Sequence, residues 1–213
     1  MSKKLFQYAG VAASVVLIAL GVGAIAVGSS GHGTVRDNLA KEQIVGTPDM
    51  TPSAIAAEAK AAGLKNVDVP ACSVAGRSID TGARARCFAG YMRIHTLEAT
   101  GGQVYAEMGR YLDKNGKPTN DDKLAAIDPK TKKPVENGAR NIWVNETALS
   151  TALNTSYFAQ SVATFSIVMG VALLLTGIGF LVLTPGPLHA LYARRREDEV
   201  TEPATSAVPA AQA

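Results

Sequence analysis

An uncharged apolar run from Val162 to Leu183 constrains the fold of this chain more than any other feature. No Asp, Glu, Lys or Arg occurs anywhere between Glu146 and Arg194. The hydrocarbon core of a bilayer is about 30 Å thick, and a helix needs roughly 20 apolar residues to cross it. Because every backbone N–H and C=O in lipid must be paired within the segment, the run predicts a transmembrane helix over 157–184.

A second uncharged apolar run extends from Tyr8 to Val27, close to the N-terminus. It is long enough to span a bilayer, and no helix-breaking residue precedes the small-x-small sequence Ala24-Ile25-Ala26. We therefore expect an uncleaved transmembrane helix over 8–28. A signal peptide cleaved after Ala26 is the alternative, because signal peptidase sites carry small residues in this pattern.

Basic residues flank the outer ends of both apolar runs and predict the topology. The positive-inside rule keeps such residues in the cytoplasm, which places residues 1–7 and the tail 185–213 inside. The segment 29–156 is then exported, and the localisation is the plasma membrane. The tail is rich in Pro, Ala, Thr and Ser and predicts disorder. The predicted topology anchors are Lys3, Lys4, Arg194, Arg195 and Arg196.

Small residues recur in both apolar runs. Ala19 and Gly23, like Ala24 and Gly28, are four positions apart, a spacing that permits close approach of helices in lipid. The spacing favours packing of the two helices on each other within one chain. Packing against another membrane protein, or a homodimer, stays open as an alternative. The predicted helix-packing residues are Gly23, Gly28, Gly170 and Gly177.

The exported segment begins with a flexible exit at Ser29–Gly33 and a moderate helix pattern over Val35–Val45. A better-marked helix follows, because Thr51 can cap it, Pro52 suits its first position, and Gly63 suits the left-handed residue after its end.

Apolar residues at three- and four-residue steps predict further helices over Thr81–Ala99 and Gln103–Leu112. A turn at Asp113–Pro118 and a basic loop at Asp128–Pro134 separate them from a last helix, which begins near Val135 and continues into the second span. No alternating run of β-branched residues is present. The predicted fold class is therefore an all-α membrane protein, with two transmembrane helices flanking an exported helical domain.

Both cysteines, Cys72 and Cys87, fall in the exported segment. Oxidising compartments permit disulfides, and closing a loop of about 15 residues stabilises a fold by roughly 3 kcal/mol. We therefore predict a disulfide between them. A redox-active pair is the alternative, but the Cys-x-x-Cys spacing typical of such pairs is absent.

The sequence carries no recognised catalytic, nucleotide-binding or metal motif, and we expect no cofactor and no metal. His95 is interpreted as a helix-face residue that packs beside Ile94 and Tyr91. Asp113-Lys-Asn-Gly116 is interpreted as a turn, because its glycine comes too early for a calcium loop. The excess of Lys and Arg over Asp and Glu, 21 against 18, is too small to indicate nucleic-acid binding. The apolar runs lack ionisable residues, which argues against an ion pathway through this chain alone.

Three stretches give the chain a family resemblance: Val35–Ile44, Asp80–Ala85 and His95–Ala106, followed by the closing hydrophobic span. With them the chain resembles uncharacterised two-span actinobacterial membrane proteins. The resemblance implies a plasma-membrane protein with an exported helical domain. Some members are labelled ring-opening dioxygenases, but such enzymes need iron ligands such as two His and a carboxylate, and no such motif occurs here.

These features favour a non-enzymatic integral membrane protein, an accessory or interaction protein of a cell-envelope or membrane complex. Its expected partners are the lipid bilayer and a membrane or envelope protein. The alternative is a module that binds a lipid or envelope component, which would need a large apolar pocket with polar groups at its mouth. An enzyme is the least favoured class, and it would require His95, Glu98 and Glu107 to meet in one cleft.

Overall fold

The structure is a computed structural model that describes residues 3–184, with side chains from Gln7 onward. It is mostly helical, with two long apolar helices. One 3₁₀ turn and one short hairpin interrupt the helical pattern between the third and fourth helices. The elements are α1 Lys3–Lys41, α2 Pro52–Ala61, α3 Gly82–Ala99, the 3₁₀ turn Tyr105–Glu107, β1 Tyr111–Leu112, β2 Pro118–Thr119 and α4 Gly138–Leu183.

The chain divides into two compact units. One, the helix-pair unit, comprises the described residues of 1–26 and 167–213, and the other, the central unit, is Val27–Ser166. Lys3 and Lys4 begin α1. The predicted anchors Arg194, Arg195 and Arg196, like the whole predicted tail 185–213, lie outside the described residues.

In the helix-pair unit, α1 and α4 pack antiparallel through small residues. A Cβ added at Gly170 would lie 2.7 Å from the carbonyl oxygen of Gly21 and 2.9 Å from the backbone nitrogen of Ile25. A Cβ added at Gly177 would lie 3.0 Å from the backbone nitrogen of Ile18. Gly170 and Gly177 thus stand where the backbones of α1 and α4 lie close together.

The spacing of the small residues at this contact differs from the four-residue spacing noted in the sequence. Gly23 has open space around its Cβ position, so the four-residue pattern through Gly23 is not the packing face. The buried small residues instead recur every seven positions, a repeat that keeps them on one face of two helices winding around each other. In the helix-pair unit they are Ser14 and Gly21 on α1 and Gly170 and Gly177 on α4, while Gly28 is buried in the central unit.

The predicted flexible exit at Ser29–Gly33 is wrong, because α1 stays helical through it to Lys41. Glycine in a helix costs about 1 kcal/mol relative to alanine, so other contacts must hold this stretch helical. A Cβ at Gly31 would lie 3.1 Å from the Cβ of Ala163, and His32 Nε2 lies 3.0 Å from Thr164 Oγ1. Packing against α4 within the central unit therefore offsets the low helix propensity of these residues.

Threonine hydroxyls cap the starts of α2 and α3, and Thr51 is the cap that the sequence predicted. Thr51 Oγ1 accepts a hydrogen bond from Ala54 N at 3.3 Å, and Thr81 Oγ1 accepts one from Arg84 N at 3.3 Å. Gly63 follows the end of α2 with φ +68°, a conformation that glycine adopts without a steric penalty. These local signals fix where the helices that carry the central unit begin and end.

The expectation of an entirely helical exported domain is wrong between α3 and α4. The predicted helix Gln103–Leu112 is replaced by the 3₁₀ turn and by β1, which pairs antiparallel with β2. Asp113 Oδ1 accepts hydrogen bonds from the backbone nitrogens of Asn115 and Lys117, each at 2.8 Å. This side chain closes the turn that brings the two strands together, and the strands satisfy backbone groups that a helix would otherwise pair.

The core of the central unit joins α2, α3 and the irregular segments on either side of α2. Ile79 N donates to Ile44 O at 2.9 Å, which ties the segment before α2 to the segment before α3. Cys72 and Cys87 are joined by a disulfide, as predicted. The hydroxyl of buried Tyr91 donates to Cys72 O at 2.5 Å, and burial raises the pKa of this hydroxyl. The main buried apolar side chains are Leu39, Met50, Ile55, Val74, Ile79, Phe88, Tyr91, Ile94 and Leu153.

Candidate functional site

A polar groove runs between α3 and α4 in the central unit and has a volume of about 400 Å³. Each helix contributes residues at three- and four-residue steps, which places them on one face. We call this feature the α3–α4 groove. It is lined by Arg86, Ala89, Gly90, Arg93, Glu146, Thr147, Ser150, Thr151 and Asn154.

One of the residues that line the groove is a buried carboxylate, Glu146. The side chain of Glu146 is only 4% exposed, and its Oε2 lies 3.5 Å from an Arg93 guanidinium nitrogen. Ser150 Oγ donates to its other oxygen at 2.7 Å. A buried charge is tolerated only when it is paired and hydrogen-bonded in this way. The same Arg93 guanidinium lies 3.9 Å above the ring of Trp143, so three side chains form one fixed cluster.

Arg86 gives the groove positive charge that the described residues do not neutralise. Its guanidinium lies 4.7 Å above the ring of Tyr157, a cation–π contact that holds the side chain in place. Within residues 7–184, no carboxylate forms an ion pair with Arg86. The groove therefore combines one compensated cation, Arg93, with one that is available to an anionic group.

An apolar cavity of about 570 Å³ adjoins the groove and shares Thr147 and Thr151 with it. We call it the Trp143 cavity. The guanidinium of Arg140 lies 4.2 Å above the ring of Tyr105, so an arginine is stacked on that aromatic wall. Its lining residues are Tyr105, Trp143, Val144, Thr147, Ala148 and Thr151.

His95 has different neighbours from those that the sequence suggested. It lies between two carboxylates, with Nε2 3.1 Å from Asp49 Oδ2 and Nδ1 3.6 Å from Glu58 Oε2. The hydroxyl of Thr47 lowers the pKa of Asp49, opposed by partial burial. Sequence reasoning missed this cluster because its members come from three segments, and no spacing rule connects them.

An enzymatic cleft would require Glu98 and Glu107 beside His95, but the carboxylates beside His95 are those of Asp49 and Glu58. Glu98 is exposed on α3. Glu107 uses Oε2 to accept a hydrogen bond from Val104 N at 2.9 Å, which closes the 3₁₀ turn. The Asp113 turn is likewise held by its own backbone donors. Glu107 and Asp113 thus have local structural roles.

The side chain of Trp143 is buried in the central unit. Tyr105 lies in the predicted helix Gln103–Leu112, and because a 3₁₀ turn forms there instead, the sequence pattern does not predict its position in the Trp143 cavity. Arg86 and Arg93 lie seven residues apart on α3, a spacing that puts both on one helix face. This spacing was the one available signal for the groove.

No family model matches this chain, and no curated protein or solved structure is significantly similar to it. The resemblance to two-span actinobacterial membrane proteins stays a prediction. The groove, the cavity and the His95 cluster therefore stand on the chemistry and geometry of their own residues.

Proposed function

We propose that this protein is a two-span plasma-membrane protein whose central unit lies outside the membrane and binds a membrane or cell-envelope protein. The proposal assigns it an accessory role in a larger complex and no enzymatic activity. The exposure of the two apolar helices is the observation that carries the membrane assignment. The charge and shape of the α3–α4 groove support the assignment of a partner.

The apolar helices bury little of their surface within the chain. In α1 and in α4, the most apolar window has a mean hydropathy of 2.5, yet only 11% of it is buried. A helix at the core of a soluble protein would bury most of such a window. An apolar surface of this extent needs another apolar environment, and a bilayer supplies one along the apolar part of each helix.

The continuity of α1 favours an uncleaved anchor over a signal peptide. Ala24-Ile25-Ala26 lies within an unbroken helix that extends to Lys41. The same helix supplies Leu39 to the buried core of the central unit. We therefore assign α1 a permanent role in the folded protein, with 8–28 as its membrane-spanning part.

The disulfide and the flanking charges together favour an exported central unit. Disulfides persist in oxidising compartments outside the cytoplasm, and the Cys72–Cys87 bond lies in this unit. Lys3, Lys4 and the Arg194–Arg196 cluster lie beyond the two spans and satisfy the positive-inside rule if both termini are cytoplasmic.

Reporter fusions test this topology. We expect alkaline phosphatase inserted in the Asp113–Pro118 turn to be active, because the enzyme folds only outside the cytoplasm. A fluorescent protein fused after Ala213 should fluoresce, because it folds in the cytoplasm. Both fusions should stay in the membrane fraction after alkaline extraction. An inactive phosphatase insertion with intact fusion protein, or release by alkali, would contradict the assignment.

The α3–α4 groove is the favoured binding surface for a protein partner with an acidic segment. Arg86 offers an uncompensated guanidinium, and neighbouring Asn154 and Thr151 add polar atoms at the other wall. Arginine and aromatic side chains contribute much of the binding energy of protein interfaces, and Arg86 on Tyr157 provides both. A charged groove of this kind also steers an acidic partner toward the site.

The alternative ligand is a lipid or envelope component with an apolar chain. The Trp143 cavity favours it, since aromatic and aliphatic walls with few polar groups are typical of small-molecule sites. Groove and cavity share residues, so one probe position tests both candidates.

Site-specific photo-cross-linking in living cells provides that test. A benzophenone amino acid at Thr147, which lines both groove and cavity, should form an adduct with one protein partner. The same probe at Asn145, exposed on α4 outside both linings, is the matched control and should form none. Arg86→Glu should weaken the adduct at Thr147, because charge reversal repels an acidic segment.

The mass of the adduct separates the two candidates. A lipid-sized adduct at Thr147 would show that the site binds an apolar ligand and not a protein partner. Equal cross-linking at Thr147 and Asn145, or none at either position, would contradict both binding assignments.

A further inference from the structure

We infer that Asp49, Glu58 and His95 form a binding site for one divalent transition-metal ion of the zinc type. The three residues belong to three segments: the loop before α2, α2 itself and α3. No sequence motif connects them, and the site is independent of the α3–α4 groove.

The donor atoms are already close to the separation that one ion requires. One ligand atom from each residue can be chosen so that all three lie within 4.8 Å of one another. Ligands about 2.0–2.1 Å from a tetrahedral zinc ion lie roughly 3.4 Å apart. His95 Nε2 and Asp49 Oδ2, 3.1 Å apart, already match this separation. The Glu58 carboxylate can join them by a rotation of its side chain.

The three side chains can make this adjustment while their backbones stay fixed. Each is half-buried, with side-chain exposure between 28% and 35%. Buried neighbours hold the backbone at each point: Met50 follows Asp49, and Ile94 precedes His95. On α2, Ile55 lies one turn before Glu58 and is fully buried. A metal site needs ligands on rigid elements, and the partial exposure of these side chains leaves the site accessible to solvent.

The electrostatics of the cluster favour a bound cation. A neutral imidazole donates from one nitrogen and presents a lone pair at the other. A carboxylate lies beside each nitrogen of His95. The nitrogen without a hydrogen therefore faces a carboxylate oxygen, and because both atoms are acceptors, no hydrogen bond can form between them. A metal ion removes the conflict, since it accepts the lone pair and draws both carboxylates. Two carboxylates and a neutral imidazole also balance the charge of a divalent ion.

The donor set selects the class of ion. Imidazole nitrogen with carboxylate oxygen suits zinc and its neighbours among the transition metals, whereas Mg²⁺ and Ca²⁺ prefer sites built from oxygen alone. Three protein ligands would leave a fourth position open to water or to a group from a partner. An imidazolium that donates to both carboxylates is the competing state, and the experiment distinguishes the two.

Zinc titration of the purified full-length protein in detergent tests the site. After treatment with a chelator, the protein should bind one Zn²⁺ per chain by calorimetry, and its thermal midpoint should rise. His95→Gln and Asp49→Asn should each weaken binding at least tenfold. Glu98→Gln is the matched control, because Glu98 is exposed on the same helix, and it should bind like the wild type.

The wild-type titration alone can overturn the proposal, so it does not depend on the variants folding. No saturable zinc binding, or equal stabilisation by Ca²⁺ or Mg²⁺, would leave His95 as the centre of an ion-pair cluster. Zinc binding that survives both His95→Gln and Asp49→Asn would place the ion elsewhere. Thermal unfolding of the metal-free variants shows whether each one retains its fold.

Discussion

Gly170→Ala should destabilise the helix pair, even though alanine is a better helix former than glycine. The added Cβ would lie 2.7 Å from the Gly21 carbonyl oxygen and 2.9 Å from the Ile25 nitrogen. These are backbone atoms, which cannot move without separating the helices. Overpacking of this kind typically costs about 1–3 kcal/mol. Thermal unfolding in detergent, followed by circular dichroism, should show the lower stability.

Gly179→Ala is the matched control for this substitution. Gly179 lies nine residues further along the same helix and has open space at its Cβ position. The same chemical change should therefore be neutral or stabilise the helix by up to about 1 kcal/mol. Gly23→Ala should behave in the same way on α1. If Gly170→Ala and Gly179→Ala unfold at the same temperature, the close backbone contact does not exist in solution.

Loss of the Cys72–Cys87 bond should be the largest single loss of stability in the central unit. The bond closes a loop with a sequence separation of 15, worth about 3 kcal/mol in the chain-entropy model. It also positions the Cys72 carbonyl that accepts the Tyr91 hydroxyl. At about 2–4 °C per kcal/mol, Cys72→Ser with Cys87→Ser should lower the thermal midpoint by roughly 10 °C.

Reduction of the wild-type protein provides the control for the double variant. A reducing agent should lower the wild-type midpoint to that of the double variant, and it should leave the double variant unchanged. Two reactive thiols in untreated protein, or a midpoint insensitive to reduction, would contradict the disulfide.

Features set by local chemistry could be predicted from the sequence. Thr51 marks the start of α2 in the sequence, because a hydroxyl that accepts a hydrogen bond from a nearby backbone N–H needs no distant partner. The two long apolar helices follow from composition alone. The disulfide was predicted from the expected oxidising compartment and from the length of the loop that it closes, and neither requires knowledge of the fold.

Features that depend on contacts between distant segments could not be predicted. The segment Gln103–Leu112 has a helical pattern, but pairing with Pro118–Thr119 outweighs it. The small residues at the contact between α1 and α4 are seven positions apart. The sequence also contains small residues four positions apart, and no local feature excludes that spacing. His95 looked like a packing residue, because Asp49 and Glu58 reach it only after α2 has docked on α3.

Trp143 gives the protein an optical probe at the Trp143 cavity. It is the chain's one tryptophan, so intrinsic emission excited at the indole band comes from a single known site. Its ring lies under the Arg93 guanidinium and against the Trp143 cavity, and it is 6% exposed. A ligand that enters this cavity must change the dielectric surroundings of the indole. Occupancy can therefore be followed by spectral shift or quenching, without a label and before the ligand has been identified.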